Sequence, residues 1–159
     1  MDHMPDVAAS APRADQATGD KTLVEDLSFL LARASALSNA AGNAALAPFG
    51  LKVRSYSVLA LASEHAGPTQ REIAEFLRLD PSQVVALVDA LQKSGLISRE
   101  PDPRDRRANV IVATAAGLKT LSQARKAVLH AERAVHSGLD GDERATLGAL
   151  LRKTAFPSE

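Results

Sequence analysis

Two helix-start signals stand one short helix apart in "PTQREIAEFLRLDPSQ", residues 68–83, and they constrain this chain more than any other feature. In "TQRE", Thr69 can accept from the amide three residues on while Glu72 reaches back to the Thr69 amide, so two donors that a helix end leaves orphaned are both satisfied. In "DPSQ", Asp80 is the cap, Pro81 suits the first helical position and Gln83 completes a second box. The first helix must end before Asp80, which leaves a turn of two or three residues and makes the pair a helix-turn-helix. Ile73, Ala74 and Leu77 form the buried stripe of one helix; Val84, Leu87, Val88 and Leu91 form that of the other, which Gly95 closes.

After Gly95 the period changes from helical to alternating. Ile97 on one side and Val110 to Val112 on the other predict a β-hairpin around the loop in "REPDPRDRRANVIV", residues 99–112. Upstream, apolar residues at Leu23, Leu27, Leu30, Ala34, Leu37, Ala41 and Ala44 step by four and three, a heptad seam on one long helix from Lys21 to about Ala47, ended by Pro48 and Gly50. That seam fits either a core helix or a subunit interface. A second helix is predicted over residues 53–65 with Val58, Leu59 and Leu61 inward. Downstream, Thr114 caps a helix running to about His136 with Leu121, Ala124, Val128, Ala131 and Val135 on its seam. Asp140 and Glu143 then open a last helix carrying Leu147, Leu150, Leu151 and Phe156. The expected fold is mainly α with a small β-hairpin wing, and residues 1–20, rich in Ala, Asp and Pro, are expected to form a tail.

Composition narrows the function. Lys and Arg balance Asp and Glu at 19 each, so any contact with a polyanion must come from a local arrangement. Even between Lys52 and Val112, nine Lys or Arg stand against eight Asp or Glu. With no cysteine, disulfides, thiolate metal clusters and cysteine redox switches are excluded. Aromatics at 3% supply too few stacking platforms for single-stranded nucleic acid or RNA. No window approaches eighteen uninterrupted apolar residues and no secretory signal opens the chain, so a cytoplasmic protein without a membrane partner is expected.

The arginine-rich loop admits three readings. A hairpin needs a soluble turn, and mixed charge often marks only a solvated tip. A phosphate-cradling enzyme loop enlists glycine amides, of which this loop has none. The third reading is a wing that grips double-stranded DNA, where the planar guanidinium bridges phosphates or enters a narrow minor groove. The loop's place directly after a capped helix with an exposed polar N-terminus favours the third. Asp102 and Asp105 fit it too, since they can fix neighbouring arginines in direction through charge-assisted hydrogen bonds.

Residues 79–121, "LDPSQVVALVDALQKSGLISREPDPRDRRANVIVATAAGLKTL", resemble the MarR family of winged helix-turn-helix transcription regulators. The likeness centres on the wing pattern Asp102, Arg104, Asp105 and Arg107, with "GLISR" before it and a strand, a threonine and "AAG" after it. The resemblance implies a homodimer whose helical dimerisation region comprises residues 21–50 and 113–156, with residues 51–112 as the DNA-binding module. It implies a recognition helix from Pro81 to Ser94 in a major groove and a wing in the adjacent minor groove. Arg104 then corresponds to the wing-tip arginine, Asp102 and Arg107 brace the wing, and Arg106 contacts phosphate.

The helix wheel agrees with that assignment: opposite the apolar stripe lie Ser82, Gln83 and Ala86 near the N-terminus. Gln83 can pair with an adenine edge and Ser82 can donate to phosphate or base. Many family members carry Thr-Arg where this chain has Val85 and Ala86, which shifts readout toward thymine methyls and groove shape. Arg54, Ser55 and Thr69 are either backbone contacts or ordinary caps. The resemblance also suggests a pocket for a small aromatic or phenolic acid, with Tyr56, Arg33 and Arg54 as candidates, although Tyr56 equally fits a half-buried core position. His130 and His136 are too far apart along a helix to share a metal, and zinc sensing would need His65 to meet one of them. No catalytic constellation and no cofactor site is apparent. The expectation is a non-enzymatic repressor of a pseudo-palindromic duplex, relieved by a small ligand; the alternative is a helical dimer using its winged module for protein contacts or housing an enzymatic pocket.

Overall fold

The computed structural model describes residues 23–64, 67–105 and 107–157. The chain divides into two units, residues 1–35 and 36–159. In the first, a 3-10 turn at Leu23–Glu25 leads into helix α1, Leu27–Leu46. The helix starts later than Lys21 because Asp26 acts as a cap, its carboxylate accepting from the Phe29 amide at 3.0 Å. The expected tail at residues 1–20 lies outside the described residues.

The second unit begins within α1. That helix passes into a 3-10 turn at Ala47–Phe49, stopped by Gly50 at φ 66°. Then come α2 (Val53–Ala62), α3 (Gln70–Leu77) and α4 (Pro81–Lys93), strands β1 (Ile97–Pro101) and β2 (Asn109–Ala113), and helices α5 (Ala115–Val135) and α6 (Gly141–Ala155). Helix α2 is shorter than the 53–65 expected, since the Ser63 hydroxyl donates back to the Ala60 carbonyl at 2.6 Å and its amide turns to the same oxygen. All three expected boxes form. Thr69 accepts from the Glu72 amide, Asp80 from the Ser82 amide and Asp140 from the Glu143 amide, and each third residue reaches back.

The core of this unit is one cluster. Leu46, Val58, Leu59, Ile73, Val84, Val88 and Ile111 are fully buried, so α2 through α4, β2 and the start of α5 share a single apolar interior. The strands pair antiparallel with Ile97 opposite Ala113 and Pro101 opposite Asn109. Burial along β2 departs from simple alternation: Val110 and Ile111 are both buried while Val112 is only partly so. A third piece of extended chain lies along the strand's other edge: Thr69 bridges Val110, and the Ile111 amide donates to the Pro68 carbonyl at 2.8 Å.

Helix α5 is seated directly on the end of the helix-turn-helix. Thr114 caps it from Gly117, donates its hydroxyl to the Gly95 carbonyl at 2.7 Å, and its amide bonds to the Leu96 carbonyl. Gly117 makes that seat possible, because a Cβ there would lie 2.0 Å from the Leu96 carbonyl oxygen. By contrast, the leucines of the two outer helices are not covered. Leu27, Leu30 and Leu37 of α1 and Leu147, Leu150 and Leu151 of α6 are all exposed.

Candidate nucleic-acid interface

The exposed N-terminal face of α4 is polar at its tip and small further along. Ser82, Gln83, Val85 and Ala86 are exposed, opposite buried Val84, Val88 and Leu91. Capping engages two of them. The Ser82 hydroxyl donates to the Asp80 carboxylate at 2.5 Å, and Gln83 Oε1 accepts from the Asp80 amide at 3.4 Å. The Asp80 carboxyl is held below its ordinary range by the Ser82 hydroxyl and amide. Ser82 therefore presents lone pairs rather than a free proton, and Gln83 keeps its amide nitrogen for an outside partner.

The wing is a folded loop with a buried anion at its root. Asp102, 4% exposed, accepts from the Arg104 amide at 2.8 Å and from Arg104 Nε and Nη2 at 3.0 Å each. Its own amide donates to the Ala108 carbonyl at 2.9 Å, and Asp105 closes the turn by accepting from the Arg107 amide at 3.0 Å. Hydrogen bonds from the Arg104 side chain and backbone hold the Asp102 carboxyl below its usual range. Arg104 Nη2 also lies 3.7 Å from Glu72 Oε1. Glu72 in turn accepts from the Thr69 amide and hydroxyl at 2.7 and 2.8 Å, bonds that depress its pKa. One carboxylate thus serves both the α3 cap and the wing arginine.

These bonds separate the expected site residues into groups. Ser82, Gln83 and Ala86 share the α4 surface, while Asp102, Arg104, Glu72 and Thr69 form one connected chain from wing to α3. Thr69 is a true cap. Arg107 braces the loop only through its backbone amide, and its guanidinium makes no hydrogen bond or ion pair with the described residues. Arg106 lies outside the described residues, as does His65. Arg54 is an exposed residue in the first turn of α2.

One residue not assigned a role from the sequence joins the interface. Arg99 of β1 donates from Nε and Nη2 to Gln70 Oε1 at 3.3 and 3.0 Å, and also to Gln92 and Asp89 of α4. It ties α3, α4 and the wing stem at one point. A signal for it exists in the sequence: strand alternation puts Arg99 on the same face as buried Ile97.

A cleft of about 280 Å³ opens between the C-terminal half of α1, the start of α2 and the end of α5. Its lining is largely apolar, including Gly42, Val53, Val128 and Val135, with Ser38 and His136 at a polar end where the hydroxyl and imidazole Nε2 stand 3.4 Å apart. Tyr56 and Arg54 are not in this lining; Tyr56 packs half-buried against the core. Arg33 is exposed in the first unit. Among the described residues no group of three His, Asp or Glu is placed to hold a metal ion, and no helix is long and apolar enough to cross a membrane.

The MarR family model matches residues 51–108, the segment holding the helix-turn-helix and the wing root. A MarR-family transcriptional regulator from Rhodococcus sp. RHA1 is 41% identical with a TM-score of 0.82, covering 87% of this chain and 99% of that one. CouR from Rhodococcus jostii RHA1 bound to p-coumaroyl-CoA is also 41% identical, with a TM-score of 0.79 over 88% of this chain and 99% of that one. A CouR repressor bound to a 23-mer DNA duplex is 33% identical with a TM-score of 0.78, over 85% and 96%. Among curated relatives, the putative transcriptional regulatory protein for the hcr operon of Thauera aromatica is 31% identical over 98 residues, 62% of this chain. The chain spans 59% of that protein's length, and no more than 65% of the next three curated relatives it matches.

Proposed function

The chain belongs to the MarR family, and from that premise we propose that it is a homodimeric, sequence-specific regulator of transcription that binds a pseudo-palindromic DNA duplex in the cytoplasm. The observation that carries this reading is the Asp102–Arg104 contact at the root of the wing, joined through Glu72 to the cap of α3 in the same module that exposes the polar tip of α4. A buried carboxylate fixes a half-exposed guanidinium, and α4 of the same module presents an outer surface that is polar and small. Major-groove entry suits Ser82, Gln83 and Ala86; minor-groove entry suits Arg104, with Arg106 and Arg107 on flanking phosphates and Arg54 and Thr69 at helix starts as further backbone contacts. Residues 51–112 form the DNA-binding module in this reading. Residues 21–50 and 113–156 form the dimerisation region, for which the exposed leucines of α1 and α6 are the support.

The same reading makes the protein a repressor relieved by a small aromatic ligand. Support comes from the cleft, whose apolar walls suit a flat ring and whose Ser38–His136 end suits a phenolic hydroxyl, and from CouR, which binds p-coumaroyl-CoA. Because the cleft touches α1, α2 and α5, an occupant there bears on the helices that carry the DNA-binding module.

Binding to duplex from beside the protein's own gene, titrated at several salt concentrations, tests the DNA assignment. The intact protein is expected to show a steep fall of affinity with salt. Arg104→Ala is expected to bind at least about tenfold more weakly, with a slope smaller by about one for each phosphate that the variant no longer neutralises. Equal affinity and slope in the two proteins would reject the wing assignment.

A further inference from the structure

Arg78 is the one non-glycine residue with positive φ among the described residues, at φ 52° and ψ 43°. It stands at the turn between α3 and α4, where its amide closes α3 by bonding to the Ala74 and Glu75 carbonyls. Glycine is the usual occupant of such a helix-ending left-handed position, since a Cβ there crowds the backbone. Gly50 and Gly95 fill the equivalent places after the 3-10 turn and after α4. An arginine at this point brings strain that its backbone role does not require.

Its side chain gives no structural return either. The guanidinium is exposed and makes no hydrogen bond or ion pair with the described residues. Arg54 and Arg107 also leave their guanidinium groups unpaired among the described residues, but neither carries a left-handed backbone, and the remaining arginines described in this module are held. Arg71 is held by Glu75 at 2.8 Å, Arg99 by Gln70 and Asp89, and Arg104 by Asp102. Backbone strain kept at a residue whose side chain has no partner among the described residues points to a role outside the fold.

The surroundings say what kind of partner fits. An open groove runs between α3 and α4, with Arg71, Glu75 and Arg78 on one wall and Pro81 and Val85 on the other. Val85 is also exposed on α4, so the groove borders the surface that carries Ser82 and Ala86. Glu75 is the only acid in the groove lining, and Arg71 pairs with it, while the Asp80 carboxylate at the same turn is taken up by the Ser82 hydroxyl and amide, so Arg78 is the cation of the lining that no acid holds. We propose that Arg78 is a phosphate clamp: it grips the DNA backbone on the side of α4 that faces α3, while the wing grips the other flank. This rests on the DNA-binding reading above and adds a contact to it.

Arg78→Gly tests the idea because a structural and a DNA-contacting role predict opposite signs. Glycine relieves the left-handed conformation, so the melting temperature is expected to rise by about 2 °C. Affinity is expected to fall severalfold on both the gene-proximal duplex and a scrambled duplex of equal length, with the salt slope smaller by about one for each phosphate released from the clamp. Arg78→Lys, which keeps the charge, is expected to retain most of the slope. A melting temperature that falls together with affinity would assign Arg78 to the fold and overturn the proposal. So would wild-type affinity and slope in Arg78→Gly. If the wild-type protein itself binds neither duplex, the DNA reading fails, and the clamp with it.

Discussion

Asp102 keeps a carboxylate under the wing because Arg104 supplies the hydrogen bonds that water otherwise gives. Its pKa is depressed in the folded state, so its contribution to stability is complete above the ordinary carboxylate value and is lost as pH falls through the native one. Urea titrations below about pH 4 should therefore show a falling midpoint in the wild type, and Asp102→Asn should flatten that limb while lowering the plateau above it. An unchanged acid limb in the variant would remove Asp102 from the account. This contact was legible in the sequence since its partners are two residues apart. The caps at Thr69, Asp80 and Asp140 were legible for the same reason, each joining residues three apart. The partners of Arg99 were not, because Gln70 reaches it only through the packing of α3 against the wing stem. In the proposed readout Ser82 changes character as well: capping takes its proton, so it would meet a base as an acceptor.

Among the elements, the junction of β2 with α5 sets the geometry of everything after it. Gly117 faces the Leu96 carbonyl, so Gly117→Ala is expected to destabilise the protein by about 1–3 kcal/mol with little change in the denaturant slope, read by chemical unfolding. A variant as stable as the wild type would mean that α5 can move off its seat at little cost. Helix order follows from the sequence through apolar period and caps, although Asp26 and Ser63 make α1 start later and α2 end sooner than the period implies. The pairing along the outer edge of β2 does not follow, since it depends on Pro68 and Thr69 arriving from elsewhere in the chain to meet Val110 and Ile111. The cleft is equally hidden. Tyr56 stands out as the only tyrosine, yet the lining comes from residues of α1 and α5 whose approach no local pattern encodes.

For the whole molecule, the exposed leucines matter most. Leu147, Leu150 and Leu151 step along α6 without a cover, and α6 has no buried residue. A helix with such a face gains little from its own chain, and the proposed dimer supplies what is missing. Sedimentation at micromolar concentration is expected to show a dimer, and Leu150→Asp together with Leu147→Asp to shift it toward monomer with loss of helical signal. A folded wild-type monomer under those conditions would refute the proposed dimerisation region. The seam at Leu27, Leu30 and Leu37 was visible as a heptad, but periodicity alone left core and interface open; exposure of those leucines in the single chain favours the interface.

The seating of Thr114 and Gly117 on Gly95 and Leu96 gives α5 the mechanics of a rigid boom fixed at one end to the helix-turn-helix module. Twenty-one residues make it roughly 30 Å long, so a tilt of only about 5° at the far end swings the tip by roughly 2–3 Å. In the proposed dimer two such modules would meet grooves set about 34 Å apart, and a small molecule wedged near Val128 and His136 would need only that slight a lean to spoil their alignment.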